Sequence, residues 1–510
     1  MLRTANLFQD RMVLQREQRV PVWGMARPGA RVSVSVQGSA AEAVADPAGR
    51  WQVTLGPLDA ARGETLLVES EGERLEIRDV AVGEVWLAGG QSNMEFFMRY
   101  DRDLKQAMAG CENPDIRFYD VPETAYEGEE ADFDYSQFGF WRPCDPENLQ
   151  YFSAVGYYFA ARVYAALHVP VGILGCNWGG TRAVCWMDED SAARAASPWL
   201  EDYAAGLKKL PDPETCLEEY RRNPMNDRAH PFDIPIADRM MYGVSPEELA
   251  QILREAFGEG TPADVPIGPC HEWRPCGLYH TMLEKTAPYG VRGVLWYQGE
   301  SDAAHADIYE GVLAELITCW RRLWNAPELP FILTQLAPLS EIYDPTAAAY
   351  PALRQAQQRV SERLERVWCT TAGDVGCVHD IHPKVKEPIG RRMALLALHY
   401  IYGQEELPCE APLAVECRRT TEGIAVRFLH GEGLRRTDRE PLPLELRLDG
   451  EILREGSGLE IDVEDGALRV RCAPAKLAAA KTLGMGDTPY YDMNLSNQAG
   501  IPAKPFTFAL

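Results

Sequence analysis

The sequence predicts an α/β protein, with a parallel-sheet core preceded and followed in the chain by β regions. Three observations lead there. Short apolar runs that read as buried strands, Val85-Trp86-Leu87-Ala88, residues 169–174 and residues 293–297, each give way to glycine and polar residues. Helical patterns alternate with these runs, as over residues 308–324, where Leu313, Leu316, Ile317, Trp320 and Trp324 share one face. Near both ends of the chain the apolar period falls to two.

Taken in order, residues 1–80 read as a small β-sandwich domain. Val32, Val34 and Val36 alternate on one face, Asp46-Pro47-Ala48-Gly49 makes a turn, and Trp51, Val53 and Leu55 alternate after it. Leu66 to Val68 add a further strand. Residues 81–402 form the α/β region, in which Trp320 and Trp324 read as core and not as a sugar platform. Within it, residues 190–280 are rich in Pro, Arg and acids with weak strand signals, an irregular insertion that could cap a site. Residues 403–510 return to β patterning, with Leu444, Leu446 and Leu448 before Asp449-Gly450, then Leu468 and Val470. No internal repeat or low-complexity tract stands out.

Composition narrows the function. A chain of 510 residues that is 46% hydrophobic supports a sizeable core and several domains. No apolar run reaches the ~18 residues of a membrane span. The formal charge of −25 disfavours nucleic acid and anionic membranes as partners. The first residues lack the basic start and apolar core of a signal peptide, so the expected location is cytoplasmic. The thirteen cysteines form no CxxC pair and read as reduced, mostly buried thiols. Cys270, His271, Cys276 and His280 lie close together without the spacing of a common metal site.

Four segments carry candidate chemistry. In Ala88-Gly89-Gly90-Gln91-Ser92-Asn93-Met94-Glu95 a strand ends in a glycine turn bearing Ser92. Such a turn exposes a hydroxyl beside free backbone N–H groups, as a serine nucleophile requires; Ser92 could equally be a helix N-cap. Gly175-Cys176-Asn177-Trp178-Gly179-Gly180-Thr181 follows the second strand, and its glycine pair could present oxyanion donors. After the third, Gln298 and Glu300, if both extended, fall on one face; an amide could donate to an oxyanion and a carboxylate orient a histidine. The alternative is that Glu300 and Asp302 open the next helix. Finally, Asp380-Ile381-His382-Pro383 precedes a helical run over 389–398, and His382 is one of only nine histidines. Ligands of open α/β sheets bind at the carboxyl ends of strands, where these segments could converge.

These blocks resemble the sialate O-acetylesterase branch of the SGNH hydrolases, which also holds acetylxylan esterases. The branch shows Gly-Gln-Ser-Asn-Met, Asn-Trp-Gly-Gly-Thr, Trp-Tyr-Gln-Gly-Glu-Ser and Asp-Ile-His-Pro blocks, present here in that order at 90–94, 177–181, 296–301 and 380–383. The opening residues around Met12-Val13-Leu14-Gln15-Arg16 and the closing segment 494–506 also look like the family. The resemblance implies an SGNH-type, flavodoxin-like three-layer hydrolase core, with Ser92 as nucleophile and His382 as general base. Many relatives carry an acid three residues before the histidine, where this chain has His379, and Cys377 replaces another acid of the pattern. Asp380 and Glu300 are therefore both candidates for the triad acid.

The resulting reading is a serine carboxylic-ester hydrolase that removes O-acetyl groups from a sugar, using no metal or organic cofactor. The Ser92 N–H, a Gly179 or Gly180 N–H and the Gln298 side chain would hold the oxyanion, and Gln91, Asn93, Met94, Asn177 and Trp178 would contact substrate. Acetylated xylo- or manno-oligosaccharides are the alternative substrates, and a non-catalytic carbohydrate-binding protein the alternative of another class. A small acetylated sugar is the expected partner, and a homodimer is compatible with the chain.

Overall fold

The computed structural model describes residues 2–133, 135–223, 235–243, 245–257 and 267–510. The chain divides into two compact units, Met1–Phe331 with Leu364–Val367, and Ile332–Arg363 with Trp368–Leu510. The architecture is mixed α/β. Among the described residues no helix is long and apolar enough to cross a membrane.

The first unit begins with antiparallel strands whose side chains alternate as the sequence indicates. Val32 and Val34 are 0% exposed in Arg31–Val36. That strand pairs with Ser39–Val44 and Ala61–Ser70, while Val20–Met25 pairs with Arg50–Leu55. Ala61–Ser70 turns back into Glu73–Gly90 through Glu71 and Gly72, both at positive φ. This is the two-residue geometry whose twist suits a hairpin.

Glu73–Gly90 is the central strand. Its first half belongs to the hairpin; its second half pairs in parallel with Val171–Asn177 on one side and Gly293–Tyr297 on the other. Val171–Asn177 in turn pairs in parallel with Asn113–Asp120, and Trp141–Cys144 closes that edge antiparallel. A strand with parallel neighbours on both sides is buried on both faces, and from Val80 the central strand is continuously buried. The helix Tyr309–Leu323 packs the expected face inward: Leu313, Leu316, Ile317 and Trp320 are all 0% exposed, and the Trp320 indole donates to the Trp186 carbonyl at 2.9 Å.

Two features fix the central strand. At its base, Glu84 is fully buried and accepts from Arg16 Nε at 2.6 Å, Arg292 Nε at 2.7 Å and Gln15 Nε2 at 3.1 Å. Burial pushes its carboxyl up, but the Arg292, Arg16 and Gln15 hydrogen bonds outweigh this and hold it below the usual carboxylate value. At its tip, Gly90 has φ +140°, and a Cβ there would lie 2.1 Å from the Tyr297 carbonyl oxygen. Only glycine combines that backbone with that approach.

The segment over 190–280 differs from expectation. Its described part holds the helices Glu189–Ala195, Ser197–Leu207, Pro213–Arg222, Pro235–Met241 and Pro246–Phe257. The proline and acid content that looked irregular supplies helix starts: Asp212 caps the Glu214 and Thr215 N–H groups, with Pro213 in the first turn. Residues 224–234, 244 and 258–266 of the expected cap lie outside the described residues.

The second unit holds the helices Tyr350–Arg363 and Glu387–Tyr400 and an eight-stranded sheet. That sheet runs in the order Leu413–Arg419, Ile424–Leu429, Ala467–Arg471, Gly458–Glu464, Glu451–Glu455, Leu444–Leu448, Thr482–Met485, Phe506–Ala509. Val426, Leu446, Leu468 and Leu483 form its core at 0% exposure. The alternating leucines at 444 and 446 face inward as their period requires.

Gly90→Ala tests the squeeze at the strand tip. The methyl group must displace backbone and occupy a strained φ, so the variant should lose about 2 kcal/mol or more of stability. A urea midpoint equal to that of the natural protein would show that the strand tip relaxes freely.

Candidate functional site

The serine turn follows from the strand tip. Gln91 is extended and its N–H donates to the Tyr297 carbonyl at 3.2 Å; Ser92 then opens the single helical turn Ser92–Glu95. Ser92 is partly exposed, whereas Gln91, Asn93 and Met94 are buried at 2%, 0% and 0%. These residues hold the turn. Gln91 Oε1 accepts from the N–H groups of Gly299 and Ser301, Asn93 Nδ2 donates to Glu300 Oε1 at 2.6 Å, and the Met94 carbonyl accepts from Ser153 Oγ at 2.6 Å. Asn177 Nδ2 likewise donates to the Ala88 carbonyl at 2.9 Å. Gln91, Asn93 and Asn177, expected at the substrate, thus make side-chain hydrogen bonds with neighbouring turns, and Met94 is buried. Side chains at strand ends are nearer to the neighbouring turn backbones than to solvent, and these bond there.

The glycine loop lies against the serine. The Trp178 N–H donates to the Gly90 carbonyl at 3.2 Å, and Trp178 is 6% exposed. A Cβ on Gly179 would lie 3.3 Å from Ser92 Cβ and 3.2 Å from Glu95 Oε2. Gly180, at φ +73°, faces the Trp273 indole at 3.2 Å from the same construction. Ser92 and Gly179 thus adjoin, while Gly180 turns to Trp273.

Gln298 and Glu300 do not share a strand face. The strand ends at Tyr297, Gly299 takes φ +146°, and Glu300–His305 is a 3-10 turn. The Gln298 amide nitrogen donates to the Thr181 carbonyl at 3.2 Å and to Asp302 Oδ2 at 2.5 Å, and its oxygen accepts from Tyr309 Oη at 3.0 Å. An amide has two N–H donors, so Gln298 serves first as a brace for the glycine loop, a correction to its reading as a free oxyanion donor. Asp302 Oδ2 also accepts from the Ala183 N–H at 3.0 Å. Burial pushes the Asp302 carboxyl up, against the pull of those donors.

His382 and Asp380 belong to the second unit. The loop that carries them is anchored by Arg392 of the following helix, which is 1% exposed, binds both oxygens of Asp374 at 2.8 and 2.6 Å, and donates to the Thr371 carbonyl at 3.0 Å. His382 is 9% exposed. Asp380 Oδ1 accepts from the His382 backbone N–H at 2.8 Å but lies 3.9 Å from the ring Nδ1, and Asp380 Oδ2 pairs with Lys384 Nζ at 2.9 Å. Asp380 is therefore not the hydrogen-bonding partner of the inner ring nitrogen. A short Asp-x-His spacing brings the carboxylate to the backbone N–H two residues on, the Asx turn, before it reaches the ring. His379 is exposed, its ring 5.9 Å from Tyr343. Burial pushes the His382 imidazole down to about 3, with Asp380 opposing and Lys386 and Lys384 assisting. A neighbouring carboxylate alone would move it upward.

Glu95, Trp273 and Asp302 join the site without having been singled out for it. Glu95 stands three residues after Ser92, one helical turn away, and that spacing was the available signal. Trp273 comes from a distant segment without a motif. Among the described residues, no group of three or more His, Cys, Asp or Glu could hold a metal ion.

Residues 268–398 match the family described as carbohydrate esterase, sialic acid-specific acetylesterase. This stretch includes the Gln298–Glu300 and Asp380–His382 blocks. Sialate O-acetylesterase of Rattus norvegicus is 26% identical over 447 residues, 81% of this chain and 76% of that protein. Sialate O-acetylesterase of Homo sapiens is 25% identical over 451 residues, 81% of this chain and 73% of that protein. The crystal structure of a carbohydrate acetylesterase from Xanthomonas citri aligns at a TM-score of 0.75 with 28% identity, covering 99% of each chain. The resemblance drawn from the four blocks stands.

The depressed His382 value has a testable sign. Between about 6.5, where an unfolded histidine titrates, and about 3, the unfolded chain binds one more proton than the native one. Stability from this group is complete above 6.5 and declines as pH falls through the window, by about 1.4 kcal/mol per pH unit. Urea unfolding of the natural protein and of His382→Gln should show that slope as the difference between them. Parallel pH profiles would mean that the imidazole titrates normally.

Proposed function

We propose that this chain is a serine carbohydrate O-acetylesterase of the sialate O-acetylesterase kind. In this reading the parallel sheet is an SGNH-type, flavodoxin-like core, and the β regions before and after it in the chain are sandwich-like. The observation that carries the proposal is the contact of the Ser92 turn with Gly179: a partly exposed hydroxyl set against a glycine loop at the carboxyl ends of adjacent parallel strands.

Ser92 Oγ attacks the acetyl carbonyl while its proton passes to His382. An imidazole held below its ordinary range is neutral at neutral pH, the form a general base requires, and its protonated form must gain stabilisation as the substrate and transition state fill the site. The tetrahedral oxyanion takes N–H bonds from Ser92 and from Gly179 or Gly180, on a loop that Gln298 and Asp302 brace; a direct bond from Gln298 requires release of its 3.2 Å bond to Thr181. Collapse expels the sugar oxygen, which regains the proton from His382. Water then attacks the acetyl-enzyme with the same base, and acetate leaves. Glu300 holds Asn93 and so the serine turn; Asp380 shapes the histidine loop.

A neutral acetylated xylo- or manno-oligosaccharide is the second reading. The Xanthomonas citri relative, similar over 99% of both chains, is described only as a carbohydrate acetylesterase.

Ser92→Ala should cost on the order of 10³-fold or more in kcat against p-nitrophenyl acetate while far-UV circular dichroism stays unchanged. Near-normal turnover by the folded variant would sink the mechanism. Asp380→Asn keeps an oxygen for the Asx turn, so its loss of kcat should stay within about 10-fold, far short of the ~10⁴ of a true triad acid. A loss of the larger size would place Asp380 on the imidazole during turnover.

A further inference from the structure

Arg182 follows the glycine loop, and its backbone is clamped on both sides. The Thr181 carbonyl accepts from Gln298, and the Ala183 N–H donates to Asp302. Its guanidinium lies 4.2 Å from the Trp199 ring centroid and 5.5 Å from that of Trp273, the indole that faces Gly180. Trp199 is itself set by an edge contact with His305, at 4.4 Å and 90°, and His305 Nε2 lies 2.7 Å from Asp202. Among the described residues, no carboxylate lies within ion-pair distance of Arg182 and no carbonyl accepts from its guanidinium, although its charge reaches the buried Asp302. Other half-buried arginines contrast with it: Arg292 pairs with Glu84, and Arg436 with Glu455.

We infer that Arg182 is a specificity-determining residue that binds a carboxylate on the acetylated sugar, so that the site selects acidic sugars over neutral ones. The inference rests on the esterase reading above and deepens it. Stacking on an indole uses the faces of a guanidinium and leaves its N–H edge, whose fork matches a carboxylate in two parallel bonds. The indole of Trp273 touches both Gly180 and the Arg182 stack, so the cation stands one ring away from the oxyanion loop. The chain as a whole carries −25 and repels acidic ligands at long range. A positioned cation near the glycine loop is what would reverse that locally.

The experiment compares an O-acetylated sialic acid with its methyl ester, which keeps the sugar and removes the charge. The natural protein should favour the free acid by about 10-fold or more in kcat/KM. Arg182→Gln should bring the ratio near one, and Arg182→Lys, which keeps the charge without the fork, should restore only part of it. A ratio near one in the natural protein, or a ratio undiminished in folded Arg182→Gln, overturns the inference. Should Arg182→Gln fail to fold, the natural protein still decides. Its preference for the acid should shrink as sodium chloride is raised, and a salt-independent ratio counts against the ion pair. Turnover of p-nitrophenyl acetate by the natural protein separates the two levels: activity there with no preference for the acid removes only Arg182's role, whereas inactivity on every ester removes the esterase reading itself.

Discussion

The first unit depends on what Gly89 and Gly90 lack. A Cβ on Gly89 would meet the Trp320 ring at 2.9 Å and Trp296 at 3.1 Å, and one on Gly90 would meet the Tyr297 carbonyl at 2.1 Å. Without side chains there, the helix Tyr309–Leu323 and the strand Gly293–Tyr297 close on the tip of the central strand. The closure delivers Gln91 to the Gly299 and Ser301 N–H groups and Asn93 to Glu300. Ser92 is left partly exposed between two buried neighbours. The glycines therefore act on chemistry indirectly, by setting where the strand stops and what its neighbours can reach.

The opposite end of the same stretch is fixed by charge. Glu84 carries two arginines and a glutamine on one buried carboxylate. Buried ion pairs contribute little net stability when desolvation is counted, but removing one partner is costly. The arrangement defines register more than it adds strength: Gln15 receives the Val85 N–H at 2.8 Å and donates to Glu84, locking Val13–Gln15 alongside the strand. Four residues, Val85 to Ala88, separate this clamp from the glycine squeeze, too few for the intervening buried strand to slip.

Much of this was legible in the sequence. Strands with strong periodicity, such as Arg31–Val36 and Leu444–Leu448, and the helix Tyr309–Leu323 stand where alternation or a 3.6-residue period indicates. The serine turn and glycine loop are brought together because both are local consequences of strand ends. The errors concern partners. Gln298 and Glu300 looked coplanar only on the assumption that the strand continues past Gly299, and the φ +146° there ends it. Asp380 looked like the histidine's acid because it is near in sequence, yet a carboxylate two residues before an N–H is captured by that N–H. The direction of the His382 shift depends on burial, which a sequence does not display. The helices over 190–280 are hidden in the sequence because prolines and acids read as breakers, while Pro198, Pro213, Pro235 and Pro246 stand in the first turns of helices.

Glu73–Gly90 runs for 18 residues without a break. The same hydrogen-bonded backbone that pairs with the N-terminal hairpin ends beside the serine, so a boundary drawn at residue 80 falls within a strand. A chain starting at 81 would strip Ala61–Ser70 and Val13–Gln15 from it, baring Val82 and its fully buried neighbours along an unpaired edge. Such edges invite aggregation. The N-terminal β region is in this sense no accessory module that could be shed or exchanged for another binding domain; it is the first half of the beam on which the nucleophile is mounted, and any lineage that keeps the serine in this setting must keep the two together.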